Sequence, residues 1–147
     1  TGDDYMCEFG LGYGHGIDGG FAEYILVQEK NLVNVGNLDL VQSALLSCPI
    51  AVCIKALIDK GSLGIDDSCV VFGSGGGLGI HALQVAQTYT SNVIGFTSSP
   101  NKLEEIGKYE ISPTFLLDES LDPTDLVMAL TEDKGADVIF NSVQSAL

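Results

Sequence analysis

Positive charge is scarce in this sequence. Six basic residues, none of them arginine, stand against 20 acidic ones, giving a formal net charge of −14 over 147 residues. Binding nucleic-acid phosphates needs a basic face, so the balance argues against a nucleic-acid partner. The acidity itself reads as a solvated surface, or as the surface of a protein from a salt-adapted host. No apolar run approaches membrane-spanning length and nothing resembles a signal peptide, so no membrane association and a cytoplasmic location are expected. Four cysteines, Cys7, Cys48, Cys53 and Cys69, are expected to be metal ligands or buried thiols rather than disulfides in a chain with cytosolic features. The length allows one domain or parts of two, and 46% apolar residues suffice for a core.

Glycine is abundant, and its distribution is informative. Positions 70–79 read V-V-F-G-S-G-G-G-L-G, a short apolar run stopped by a glycine cluster. A helix-like stretch follows, from Ile80 to Gln87. Strand, glycine turn and helix together make a phosphate cradle: the turn's N–H groups and the positive end of the helix face an anion, and absent Cβ atoms let it approach the backbone. The strict G-x-G-x-x-G pattern fails, because position 78 is Leu78. The sequence spells G-x-x-G-G-x-G instead, at Gly73, Gly76, Gly77 and Gly79. A glycine cluster alone equally describes a flexible turn. The strand-like run at 92–97, spaced as in a βαβ unit, favours the cradle for a nicotinamide dinucleotide.

Alternation continues on both sides. Strands are expected at 68–72, 92–97, 114–117 and 136–141, and helices at 77–89, 101–108 and 123–131, the last capped by Asp122. Strands alternating with helices imply an α/β fold with a doubly wound parallel sheet, and Val70-Val71-Phe72 and Val138-Ile139-Phe140 have the continuous apolarity of strands buried on both faces. Upstream, 1–20 is glycine-rich loop, and 21–27 and 31–35 are expected as strands. Residues 39–60 are helical in pattern, with a break or fresh start at Pro49, which has no N–H to donate. A dinucleotide-binding sheet normally has six strands, and four are legible. The sheet is therefore expected to be incomplete and the chain to be part of a longer protein.

Several motifs now point to one family. D-G-G-F-A-E-Y at 18–24, A-L-L-S-C-P at 44–49, K-A-L at 55–57, the glycine run, V-I-G-F-T-S-S-P-N-K at 93–102 and G-A-D-V-I-F-N at 135–141 occur in its order. Together they resemble the medium-chain dehydrogenase/reductase superfamily, in particular its zinc-containing alcohol dehydrogenases. The resemblance implies a Rossmann sheet preceded by the C-terminal part of a GroES-like, β-rich catalytic domain. It divides the chain into 1–47 (catalytic domain), 48–67 (linking helix and connector) and 68–147 (first half of the Rossmann domain). The implied reaction is reversible hydride transfer between an alcohol or aldehyde and NAD(P), in a homo-oligomer when full length. By the same resemblance Cys48 stands at the last catalytic cysteine ligand. Such a zinc needs about three protein ligands and lowers the pKa of the bound alcohol. Otherwise Cys48 is a small buried thiol. Cys7 stands at the last structural-zinc cysteine, or is a free loop cysteine. Cys53 and Cys69 match no ligand position and are expected in the core. His15 and His81 are expected to be structural or surface residues.

The cofactor-binding residues expected are Gly73, Gly76, Gly77, Leu78 and Gly79 for the phosphates, and Thr97, Ser98, Ser99 and Lys102 for the adenosine ribose. NAD enzymes usually place a carboxylate at the end of the second strand. Here three hydroxyls and a lysine follow instead, which favours NADP, with NAD as the alternative. Ser-Ser-Pro can also cap the next helix at the same time. Two departures from the family stand out. Val52 replaces a common threonine near the nicotinamide, which removes a hydroxyl there. Glu110-Ile111-Ser112-Pro113 replaces a glycine-alanine-aspartate turn. The competing readings are a zinc-free quinone or enoyl reductase of the same superfamily, and a non-catalytic dinucleotide-binding module. With one candidate zinc ligand and half a cofactor domain, the isolated chain is expected to be inactive.

Overall fold

Residues 8, 10–109 and 111–143 are described by the computed structural model. The chain divides into two compact units, Thr1–Asn37 and Leu38–Leu147. In the first, two-residue strands β1 (Gly12–Tyr13) and β2 (Gly16–Ile17) pair with each other. A single 3-10 turn covers Glu29–Asn31. The strands expected at 21–27 and 31–35 do not form. Their β-propensity is real, but propensity in a strand reports packing against neighbours. Here Phe21, Tyr24, Leu26 and Val33 are all strongly exposed.

The second unit is built from β3 (Ser68–Phe72), β4 (Asn92–Thr97), β5 (Thr114–Leu116) and β6 (Val138–Asn141), all parallel, in the order β5-β4-β3-β6. Helices α1 (Leu40–Lys60), α2 (Gly77–Gln87), α3 (Pro100–Gly107) and α4 (Pro123–Leu130) cover it. Elements within 68–143 begin and end within two residues of the sequence expectations. Strands β3 and β4 are buried on both faces, which is why they lack polar alternation. Strand β6 instead alternates, with Val138 and Phe140 buried and Ile139 61% exposed, so the burial on both faces expected of Val138-Ile139-Phe140 does not hold there. Cys69 and Val71 of β3 point into a core with Cys53, Leu57, Leu83, Val93 and Phe140. Val70 and Phe72 point the other way, into a core with Ile94, Phe96 and Val127. There Phe72 and Phe96 stack with ring centroids 5.1 Å apart.

Helix α1 departs from expectation. It runs through Pro49 without a break, by way of π-helical turns at Leu46–Ile50 and Lys55–Lys60. Pro49 has no N–H for the Leu45 carbonyl. The wider turn lets Ile50 N donate to that carbonyl instead, at 3.1 Å. Asp39 caps the start by accepting from Gln42 N at 2.9 Å. Joined in this way, 21 residues make one helix long and apolar enough to cross a membrane, with a peak mean hydropathy of 1.8. The expectation that no segment reaches that length is thereby corrected. Splitting the segment at Pro49 had hidden it. The helix nonetheless seats Cys53 and Leu57 in the core against the sheet.

Burial has a consequence for the pH range of stability. Cys69 is fully buried, and desolvation pushes its thiol up from 9.0 to about 12. Burial also raises Cys53. A raised folded-state pKa leaves stability untouched below the unfolded value and erodes it as pH climbs toward the folded one. Unfolding free energy should therefore fall between pH 9 and about 12, by up to about 1.4 kcal/mol per pH unit for each such thiol. In urea titrations Cys69→Ala should flatten that slope. Identical slopes in the two proteins from pH 9 to 11 would refute the account.

Candidate cofactor site

The glycine turn leaves β3 at its carboxyl end and is tied down at once. Gly73 N and Ser74 N donate to the Phe96 carbonyl at 3.0 and 2.9 Å, and the buried Ser74 hydroxyl donates to the same oxygen at 2.8 Å. One carbonyl of β4 thus fixes the turn that leaves β3. Gly73 has φ +76, a conformation costly for any residue with a Cβ. Gly76 N closes the turn on the Gly73 carbonyl at 2.9 Å. Helix α2 then starts at Gly77. Asp39, Ser99 and Asp122 supply side-chain caps to α1, α3 and α4, whereas Gly76 at the start of α2 supplies none. The first-turn N–H groups of α2 therefore have no side-chain oxygen to satisfy them.

A cleft of about 330 Å³ opens beside this turn. Its walls come from the carboxyl ends of all four long strands: Phe72, Gly73, Gly75 and Gly76 at β3, Phe96 to Ser99 at β4, Leu117 after β5, and Ser142 with Val143 after β6. Strand order reverses between β3 and β6, so the cleft sits at the topological switch point where open α/β sheets bind ligands. A second, more apolar cleft of about 500 Å³ lies along α1 and α2 between Leu38 and Tyr109. It contains no residue of the glycine turn and no strand end, so the chemistry of an anion points to the first.

Six of the residues expected from sequence, Gly73, Gly76, Thr97, Ser98, Ser99 and Lys102, line the strand-end cleft together. Gly77, Leu78 and Gly79 form the first turn of α2. A Cβ added at Gly77 meets nothing within 4 Å, so the space in front of it is open. The Leu78 carbonyl accepts from the Cys53 thiol at 3.4 Å. Gly79 is buried and packs on the turn itself. Thr97 is buried, and its hydroxyl oxygen accepts from Ser99 N at 3.3 Å. Ser98 is exposed, and Ser99 caps α3 by accepting from Lys102 N at 3.4 Å. Lys102 pairs with Glu105, Nζ to Oε2 2.8 Å. Hydrogen bonding and charge from Glu105 raise the lysine pKa, and those from Lys102 lower the glutamate.

Sequence reasoning missed Gly75, Leu117, Ser142 and Val143. Gly75 stood inside the quoted run but outside the motif. A Cβ there would lie 2.7 Å from Lys102 Cβ and 2.8 Å from Thr97 Oγ1, so its absence lets the turn lie against the lysine stem. The other three follow strands, and strand ends at a switch point are their one sequence-level signal.

The metal expectations fare differently. Cys48 carries an exposed free thiol in the π-helical turn of α1 and is not among the residues lining the strand-end cleft. Cys7 lies outside the described residues. Among the described residues no three His, Cys, Asp or Glu side chains come together to hold a metal ion. A catalytic zinc needs about three protein ligands, so the donor set present does not fit one. Cys53 and Cys69 are buried, as expected for core thiols. His15 is exposed, and His81 lies 3.3 Å from Gln84 Oε1 on α2.

Sheet, glycine turn and flanking helices define a Rossmann-type fold. No protein-family model matches the chain. It is 30% identical over 141 residues to an NAD-dependent alcohol dehydrogenase of Sulfurisphaera tokodaii, covering 95% of this chain and 40% of that protein. Over 112 residues it is 33% identical to an acryloyl-coenzyme A reductase of Metallosphaera sedula, covering 74% of this chain and 32% of that one. Among solved structures it superposes on the alcohol dehydrogenase TADH from Thermus sp. ATN1 with a TM-score of 0.81 at 26% identity, over 97% of this chain and 42% of that one. The chain belongs to the medium-chain dehydrogenase/reductase superfamily, whose members include alcohol dehydrogenases. It spans about 40% of the length of the alcohol dehydrogenase it matches.

Proposed function

We propose that this chain supplies the dinucleotide-binding part of an NAD(P)-dependent oxidoreductase, with alcohol and aldehyde as its substrate pair. One observation carries the reading: the glycine turn feeds a helix without a side-chain cap, at the carboxyl ends of parallel strands where their order reverses. The pyrophosphate belongs on the first-turn N–H groups of α2, in front of Gly77, where no Cβ competes for the space. The adenosine ribose belongs between the glycine turn and Thr97-Ser98-Ser99. When bound, the dinucleotide supplies a nicotinamide ring that accepts or donates hydride. The chain's own groups position it: Phe96 O fixes the turn, Ser142 and Val143 close one wall, and Leu117 the other.

Among the described residues no carboxylate lines the cleft at the end of β4, and Lys102 stands there with two serines. This supports NADP over NAD as the preferred cofactor, although the Sulfurisphaera relative is named for NAD. In the alcohol dehydrogenase reading Cys48 contributes one ligand to a catalytic zinc, and the described residues do not complete that site. The 147-residue chain by itself is expected to turn over no alcohol. The reductase relative favours a second reading, a zinc-free enoyl or quinone reductase. Residues 1–47 belong, in either reading, to the GroES-like catalytic domain, and the full-length protein is a homo-oligomer.

Calorimetric titration of the chain with NADP+ and NAD+ tests the cofactor assignment. Binding of both is expected, several-fold tighter for NADP+. Absence of binding by either would sink the proposal, and tighter binding of NAD+ would reverse the preference. Elemental analysis of the full-length protein separates the zinc and zinc-free readings.

A further inference from the structure

Lys102 is the one basic side chain among the residues lining the cleft, and its charge is already engaged. Its stem lies against Gly75 of the phosphate turn, which places it beside the cradle and the two serines. Its ammonium pairs with Glu105 one turn along α3, at 2.8 Å. Positions three apart on a helix share a face. The pair is half-exposed, with 51% and 55% of the two side chains accessible, so it is weak enough for a stronger anion to break. Glu105 also feels the charge of Lys108, and Lys108 itself pairs with Glu104 at 3.6 Å. Releasing Lys102 therefore leaves Glu105 still within the field of Lys108, just past the end of the helix.

We propose that Glu105 is a specificity-determining residue of this cleft: it holds Lys102 in a competing ion pair and so limits how strongly the site prefers a 2′-phosphate over a 2′-hydroxyl. The inference rests on the cofactor reading above. A 2′-phosphate carries up to two negative charges and several acceptor oxygens. It draws the lysine from the carboxylate, and its net gain is reduced by the pair that is lost. A 2′-hydroxyl draws nothing, and Lys102 stays with Glu105. The outcome is a site that accepts both cofactors with a moderated preference, with no second cation among the described residues of the cleft to strengthen it.

Two small probes separate the parts. Adenosine 2′,5′-bisphosphate carries the 2′-phosphate, and 5′-AMP lacks it. Each is titrated calorimetrically into the 147-residue chain at low ionic strength, as wild type, Glu105→Gln, Lys102→Gln and the double variant. Glu105→Gln should tighten the bisphosphate by roughly two- to fivefold, the range open to an exposed ion pair, and leave 5′-AMP unchanged. Lys102→Gln should weaken the bisphosphate, and in that background Glu105→Gln should give no gain. Three results would overturn the inference: no change in the bisphosphate with Glu105→Gln, an equal gain for both probes, or a gain that persists without Lys102, which would mean direct repulsion by the carboxylate. Failure of both probes to bind any variant, the wild type included, would instead remove the cofactor reading and the inference with it.

Discussion

Gly79→Ala should unfold the unit built on β3 to β6 or leave it severely destabilised. A Cβ at this buried position would sit 2.0 Å from the Gly73 carbonyl oxygen, 2.6 Å from its carbon and 2.7 Å from Ser74 Cα. All three are backbone atoms, and they cannot swing aside as a side chain would. The turn they belong to is anchored on Phe96 O by three donors, so it cannot retreat either. Two effects oppose one another. Alanine is the better helix former by about 1 kcal/mol. Forcing α2 away from the turn costs about 3 kcal/mol or more. The clash wins, and it removes a large share of a typical domain stability of about 5–15 kcal/mol. Chemical denaturation checks this, and a variant as stable as wild type would refute the packing role of Gly79.

Two residues earlier the same kind of substitution should do the reverse. Gly77→Asp adds a side chain where nothing lies within 4 Å, in the first turn of a helix without a side-chain cap. An acidic residue there suits the positive end of α2, worth about 0.3–1 kcal/mol. Thermal stability should hold or rise slightly. The carboxylate occupies the seat assigned to the pyrophosphate and repels it, so dinucleotide affinity should fall by at least about two orders of magnitude, the scale of losing a charge-assisted anion contact and gaining a like charge. Measured side by side, a melting temperature and an NADP+ titration give the two readouts. A variant that binds the dinucleotide as wild type does would place the phosphates elsewhere. One that melts much earlier would show that Gly77 is structural, as Gly79 is.

The contrast between these glycines marks where sequence reading stops. G-x-x-G-G-x-G names both positions without distinguishing them. Gly79 is glycine because the Gly73 carbonyl fills the space beside it. Gly77 is glycine beside empty space, which is what an approaching ligand requires. That difference exists only after a strand, a turn and a helix have been folded onto one another. Gly75 carried no signal of its own for the same reason, since its neighbours Thr97 and Lys102 are distant in sequence.

Pro49 shows a different limit. Missing its N–H, proline argues for a helix break. The break was avoided because Ile50 N reaches the carbonyl that Pro49 leaves free. Sequence propensity cannot tell a broken helix from one widened by a turn, since both answer the same missing donor. In the first unit the aromatic and β-branched run at 21–27 met the criteria for a strand, yet Phe21, Tyr24 and Leu26 are exposed and no strand forms among the described residues there. A strand needs a partner edge, and local composition does not supply one.

What the sequence determined by itself was the alternation of strand and helix from Ser68 to Asn141. Continuous apolar runs, glycine turns and the caps at Ser99 and Asp122 are local properties, set by hydrogen bonding and side-chain burial within a few residues. The glycine turn and the Thr97-Ser98-Ser99 segment were legible for that reason. Only the tertiary structure decided that they share one cleft, because parallel pairing of β3 with β4 and β6 brings four strand ends to one place. It also decided that Lys102 lines that cleft while paired with Glu105, a placement that no spacing of residues can record.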